Sequence, residues 1–247
     1  MNSHYGKHIW IVGASSGIGR ALAIELHAQG AHLILSARNA EALEQLNQEL
    51  DNKHIINPVD VTDTKDLNKI AESIETIDSV IFMAALYDPA PLDQLNIDTA
   101  HKMVAVNVNG ALNTIHAVLP KMKKHGSGQI ALCGSVAGYR GLPNGQPYSA
   151  TKAAIINLAE SLRAEEPELD IKLISPGFVR TPLTDKNDFK MPMMIEAEDA
   201  AKIIAKDLLS RKFEIHFPKR FTIIMKLVGL LPRFLYFMLL GVMQKKG

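Results

Sequence analysis

The sequence predicts an α/β chain: a doubly wound parallel sheet of about seven strands followed by an apolar helical tail. Three observations carry that expectation. Short apolar runs alternate with longer amphipathic stretches from residue 7 to residue 217. A glycine-rich turn stands between the first strand and the first helix. Gly13, Arg38, Asp60, Ala84, Ser135 and Pro176 each fall just after a strand. Right-handed crossovers put the carboxyl ends of parallel strands on one edge. Open α/β sheets bind ligands in the crevice outside that edge, so these residues are expected to share one crevice.

Residues 7–12 (KHIWIV) read as a buried strand, and residues 20–29 as an apolar-periodic helix. The turn between them is Gly13-Ala14-Ser15-Ser16-Gly17-Ile18-Gly19. Its glycines let backbone approach a ligand closely, and the helix N-terminus offers free N–H groups and a positive dipole end to a pyrophosphate. Gly13, Ser15, Ser16, Gly17, Ile18 and Gly19 are therefore candidate cofactor contacts. A glycine run gains weight only in this strand–turn–helix context.

Gly30 ends the helix, and residues 32–36 (HLILS) form the second strand, followed by Ala37-Arg38-Asn39. Nucleotide folds commonly carry an acid here that holds the ribose 2′-hydroxyl of NAD. Arg38 stands there instead, and a guanidinium suits the 2′-phosphate of NADP. Residues 39–51 read as a helix and 54–59 as the third strand, with Asp60 and Val61 at its exit. Asp60 is expected to meet an adenine edge, to N-cap a helix over 62–75, or both. Residues 78–83 (DSVIFM) are the fourth strand, and Ala84-Ala85 its exit. One long helix is expected over 101–122; it carries Asn107 in an apolar setting, where a buried amide needs a partner.

Residues 129–135 form the fifth strand, ending on Ser135. In the next helix, 147–166, Tyr148 and Lys152 lie four apart and so share a face. A free phenol titrates near ~10. A nearby ammonium lowers that value and readies Tyr148 for acid/base work. Ser135 could hydrogen-bond a substrate carbonyl oxygen while Tyr148 protonates it. Residues 170–174 are the sixth strand, and Pro176-Gly177 breaks the chain. Residues 183–195 lack a helical period and include Met191, Met193 and Met194. They read as a lid with an adaptable apolar inner face, a surface loop, or both. An amphipathic helix over 196–211 and a last strand over 213–217 follow.

At 247 residues and a net charge of +1, the chain suits one sizeable domain and gives no global case for nucleic acid. Cys133 is the only cysteine, so no intrachain disulfide forms, and the lack of an HExxH or His-x-x-His spacing argues against a built-in metal site. The polar start lacks an apolar signal segment, which points to the reducing cytoplasm. Charge is uneven, however: residues 215–247 hold six Lys or Arg and no Asp or Glu. Within them, residues 221–243 are mostly apolar over 23 positions, a length that can span a bilayer. Pro232 should break that helix, and Arg233 near its middle costs ~2.5–3.5 kcal/mol in lipid. Two short helices lying in the interface fit better, with their cations drawn to an anionic leaflet. The competing reading is a tail that covers the crevice or a dimer partner.

On these motifs the chain resembles the short-chain dehydrogenase/reductase family over residues 7–217. The matching residues are Gly13-x-x-x-Gly17-x-Gly19, Asp60-Val61, Asn107, Ser135, Tyr148-x-x-x-Lys152, and Pro176-Gly177 with Thr181. The resemblance implies a Rossmann fold and a nicotinamide cofactor, here NADP(H), bound by a catalytic domain over 1–218, with 219–247 as a basic, apolar tail. It implies Tyr148 as general acid/base, Lys152 as the ribose ligand that lowers the tyrosine pKa, and Ser135 as the group polarising the carbonyl. Asn107 would hold a water of the proton relay, Thr181 the carboxamide, and the backbone at Ala84 the ribose. Two places depart from the family pattern. Val12 replaces the usual Thr, and Phe82-Met83-Ala84-Ala85 replaces Asn-Asn-Ala-Gly, as if packing had taken over from polar bracing. The family's C-terminal strand, used in tetramers, gives way to the tail, and a homodimer is expected.

The expected function is hydride transfer between NADP(H) and a carbonyl or alcohol. The apolar lid and tail suggest a lipid-like or bulky substrate, and the tail a place at the cytoplasmic face of a membrane. Alternatives are a membrane-docked sensor or adaptor without turnover, and an isomerase or dehydratase on the same fold. The intact set Asn107, Ser135, Tyr148 and Lys152 argues against the sensor.

Overall fold

The computed structural model describes residues 3–88, 90–186 and 191–244, with side chains to residue 241. Seven parallel strands form one sheet: β1 (His8–Val12), β2 (His32–Ser36), β3 (Ile55–Ile56), β4 (Ser79–Phe82), β5 (Gln129–Cys133), β6 (Asp170–Pro176) and β7 (Glu214–Phe217). Their order is β3-β2-β1-β4-β5-β6-β7. The order reverses between β1 and β4, so the loops leaving these two neighbours diverge to opposite halves of the sheet. That divergence opens the crevice.

The strands read as continuous apolar runs because both faces of the sheet are covered. Along β1, Ile9 and Ile11 face one core while Trp10 and Val12 face the other. The first core is closed by α1 (Gly17–Ala28), α2 (Ala40–Glu49) and α7 (Ala197–Leu208). The second is closed by α3 (Thr64–Ser73), α5 (Gly110–His125) and α6 (Tyr148–Glu165). Val12 and Phe82 are register partners on β1 and β4, and both are buried in the second core. These two apolar departures from the family pattern are therefore part of the core.

Three boundaries differ from expectation. The third strand has two residues in place of the six of 54–59, since Pro58 has no N–H to give the ladder. Asn57 and Val59 still donate to Leu35 and Ala37. Asp60 does not cap α3; Asp63 does, accepting from the amides of Lys65 and Asp66, because the chain makes one more turn before the helix begins. The long helix over 101–122 is in fact α4 (Ile97–Val104) and α5, joined by a π-helical turn at Ala105–Asn109. Gly110, at the exit of that turn, lets α5 settle on the core: a Cβ there would lie 2.6 Å from Val61 Cγ2 and 3.4 Å from Phe82 Cζ.

The expected lid over 183–195 falls partly outside the described residues; within it, Thr184–Lys186 forms a short 3-10 turn. After β7 the chain forms α8 (Lys219–Leu230) and α9 (Arg233–Gln244), broken at Leu231 and Pro232 as the proline predicts. None of the described helices is long and apolar enough to cross a membrane.

Candidate active site

At the switch point, Gly13 lies with φ +100° against the exit of β4. A Cβ on Gly13 would sit 2.5 Å from the backbone nitrogen of Ala84, and one on Gly19 would sit 2.1 Å from the Gly13 carbonyl oxygen. Only glycine allows both approaches, so the loop folds back tightly onto the first turn of α1. That helix starts with no side-chain cap and no acid in its first turn. Its leading N–H groups are thus left for a ligand, beside walls formed by Ser15, Ser16, Gly17 and Ile18. Across the cleft, Thr181 faces Gly17, whose Cβ would meet Thr181 Cγ2 at 3.2 Å. The Thr181 amide donates to Thr184 Oγ1 at 3.0 Å, which fixes the turn.

The cleft has a volume of about 310 Å³, at the low end of the ~300–1,000 Å³ usual for small-molecule sites. Arg38, Asp60, Val61 and Ala84 line it along with the glycine turn. Arg38 is exposed at the rim of this lining. Asp60 accepts from the Thr62 amide and hydroxyl at 2.9 and 2.8 Å. The Thr62 amide is the main reason its carboxyl titrates below the ordinary range, with Arg38 a lesser one. An uncapped helix start, a cradle that a Cβ would fill and an exposed cation in the lining together fit a dinucleotide.

Ser135, Tyr148 and Lys152 line the other end of the same cleft. β5 delivers Ser135 at its carboxyl end, and α6 begins on Tyr148. The Ser135 hydroxyl faces the Tyr148 phenol and works to lower its pKa. The serine oxygen accepts from the Ala137 amide at 3.1 Å, which leaves the hydroxyl proton to be donated. Lys152 is only 2% exposed and donates to the Cys133 carbonyl at 2.7 Å. One of its three protons is used there.

The expected lowering of the Tyr148 pKa by Lys152 is not found. Burial pushes the phenol well above its ordinary value, Cys133 adds to the rise, and only the Ser135 hydroxyl opposes it. The ammonium stands 5.5 Å from the centre of the tyrosine ring and spends its short bond on Cys133. Its own pKa is lowered by burial.

Asn107 does not line the cleft. It lies buried in the π-helical turn, where Oδ1 accepts from the Leu86 amide at 2.7 Å, and Nδ2 donates to the Leu86 carbonyl and to Thr151 Oγ1, both at 3.0 Å. Both amide protons are committed to protein, and a water would meet only the remaining lone pair of Oδ1. Thr151 in turn donates to the Tyr148 carbonyl at 2.7 Å. Asn107 thereby ties the exit of β4 to the first turn of α6.

The structure adds residues that the sequence reading missed. Tyr87 packs its ring edge-on to Tyr148, with centroids 4.7 Å apart. Lys186 donates to the Tyr87 carbonyl at 2.8 Å, linking the loop after β6 to the loop after β4. Nothing in the pattern of either loop marks these residues. Thr151 lay inside the Tyr148–Lys152 stretch and could have been suspected from its position alone.

The family model described as short chain dehydrogenase matches residues 7–191. An uncharacterized oxidoreductase of Myxococcus xanthus (strain DK1622) is 30% identical over 236 residues, covering 92% of this chain and 93% of the relative. Among solved structures, a short chain dehydrogenase/reductase from Burkholderia phymatum in complex with NAD superposes with a TM-score of 0.84 at 22% identity, covering 92% of this chain and 94% of that one. A short chain dehydrogenase from Burkholderia cenocepacia J2315 in complex with NADP superposes with a TM-score of 0.79 at 24% identity, over 87% and 89% of the two chains.

Proposed function

The chain belongs to the short-chain dehydrogenase/reductase family, and from that premise we propose that it is an NADP(H)-dependent oxidoreductase acting on a bulky apolar carbonyl or the corresponding alcohol. The observation that carries this reading is the convergence of Ser135, Tyr148 and Lys152 in the cleft that also holds the Gly13–Gly19 turn and Arg38. When bound, the cofactor supplies the hydride for reduction or accepts it in oxidation.

The chain's own residues do the rest. With the cofactor bound, the first turn of α1 would hold the pyrophosphate, and Arg38 the 2′-phosphate. The Ala84 backbone and Lys152 would hold the nicotinamide ribose, and Thr181 the carboxamide. Asp60 and Val61 would hold the adenine. Ser135 donates to the substrate oxygen, whose neighbour Tyr148 gives up its phenolic proton in reduction and recovers it in oxidation. We assign Asn107 a positioning role, because its amide holds Leu86 and Thr151 and sets the start of α6. Cytoplasmic residence and a homodimer belong to the same proposal. Cys133 is a free, buried thiol, as a reducing compartment allows, and light scattering of the purified chain reads the dimer.

The direct test is NADPH consumption with ketones and aldehydes graded in size and apolarity. Turnover should rise with apolar size, and a lack of consumption across the whole panel would remove the reading. A second expected result concerns cofactor choice. Arg38→Ala loses a charge-assisted bond to phosphate worth ~1.5–3 kcal/mol, so NADPH affinity should fall ~10- to 150-fold. NADH, lacking the 2′-phosphate, should change little. Titration showing equal losses for both would make Arg38 a bystander.

A further inference from the structure

Helices α8 and α9 each carry an exposed apolar stripe. On α8, Ile223, Ile224, Leu227 and Leu230 are exposed, and their spacing puts them on one face. Leu230 is 81% exposed. On α9, Phe234, Phe237 and Met238 are 71%, 63% and 64% exposed at the same helical spacing. Exposed apolar stripes of this kind, carried by two consecutive helices, mark an interaction surface, unlike singly scattered apolar residues. Its rim carries Lys219 and Arg220 at the start of α8 and Arg233 at the start of α9, all exposed. Lys226 is turned inward to Glu214. Residues 215–247 supply no carboxylate side chain at all.

We infer that this face is a foot that docks flat on an anionic lipid bilayer. Charge decides between the candidate occupants. A second copy on the same patch would bring Arg220 and Arg233 up against like charges, since a two-fold interface pairs a patch with itself. Anionic headgroups supply the missing counter-charge, while the apolar stripes enter the acyl boundary. The docking is shallow: each helix has 12 residues, and the break at Leu231 and Pro232 separates them. Both lie in the interface plane.

The inner face of the same helices packs against the loop that follows Ser135 and against one wall of the cleft. Phe221 packs on Gly177, a wall residue, and Gly229 lies against Tyr139. Arg140 donates to the Leu231 carbonyl and Tyr236 to the Gly141 carbonyl, with the Arg140 guanidinium 5.4 Å over the Tyr236 ring. The loop that follows Ser135 is therefore clamped to the foot, and docking brings this loop to the bilayer. An apolar substrate then reaches the cleft from the lipid. This second step rests on the carbonyl-site reading above, whereas docking does not.

Flotation of the full chain with phosphatidylglycerol-containing vesicles, against pure phosphatidylcholine vesicles, tests the docking without requiring turnover. We expect co-flotation with the anionic vesicles at low salt and its loss at high salt, because exposed-charge attraction is screened within ~8 Å at physiological ionic strength. Arg220→Gln with Arg233→Gln should weaken partitioning ~10-fold or more, at ~1 kcal/mol per cation. Leu227→Glu with Phe237→Glu should abolish it and leave thermal unfolding and activity on a small soluble ketone unchanged. No flotation at low salt overturns the proposal, as does flotation indifferent to these substitutions. Conversion of a dimer to monomers by L227E/F237E in lipid-free buffer also overturns it, because the face would then be a self-interface. The delivery step is read separately. Vesicles should lower KM for a lipid-dissolved ketone in the wild-type protein and fail to do so in L227E/F237E.

Discussion

Tyr148→Phe is expected to cut turnover by at least ~10²-fold, the low end for general acid catalysis, with cofactor affinity near the wild-type value. The substitution removes one hydroxyl and keeps the ring that packs edge-on to Tyr87. The glycine turn and Arg38 lie at the other end of the cleft and are untouched. Single-turnover kinetics with a reactive ketone, beside a cofactor titration, separate the two quantities. Turnover within about twofold of wild type would remove Tyr148 from the chemistry. The pH profile gives an independent reading. Burial raises the phenol above its ordinary value near ~10, so the acid form persists through neutral pH. Reduction should therefore show no alkaline loss from this group below pH ~9. Alcohol oxidation needs the phenolate and should climb toward alkaline pH. An alkaline loss of reduction centred near neutrality, absent in Tyr148→Phe, would show that Tyr148 titrates far below the value its burial imposes.

Phe82→Ala is expected to lower stability by about 3–5 kcal/mol, the usual cost of emptying a buried aromatic site. Phe82 is 1% exposed in the centre of the sheet, paired with Val12 on one side and Leu132 on the other. Its ring also supports Gly110, where α5 leaves the π-helical turn. For a chain of this size ~2–4 °C accompany each kcal/mol, so the melting temperature should drop by roughly 6–20 °C. Calorimetry measures this directly. A loss under about 1 kcal/mol would mean that the core collapses around the deletion, and that Phe82 does not brace the central strands.

Much of the fold and of the candidate site was legible in the chain. Alternation of apolar strands with amphipathic helices marks seven strands and the order of elements. The residues just after those strands fall on one edge because parallel connections leave no other place for them. Pro232 marks the break in the tail through its missing N–H and its clash with the preceding turn. These features depend on local backbone chemistry and on the period of the apolar pattern, which a sequence states outright.

The rest depends on distances between residues far apart in the chain. The reach of Lys152 is set by the Cys133 carbonyl, nineteen residues earlier. The Tyr148 pKa follows from how much water the cleft excludes, so spacing alone pointed to the wrong direction. Asn107 advertised a need for partners, but only packing of α6 beside the π-helical turn supplied Thr151 and Leu86. Tyr87 and Lys186 meet across loops with no periodicity to read. The sequence by itself determined which residues have chemistry to offer and on which edge of the sheet they lie, because both are local properties of the chain. Tertiary structure alone decided which of them touch, which are desolvated and which face of the tail is left open, because burial and electrostatics act through space.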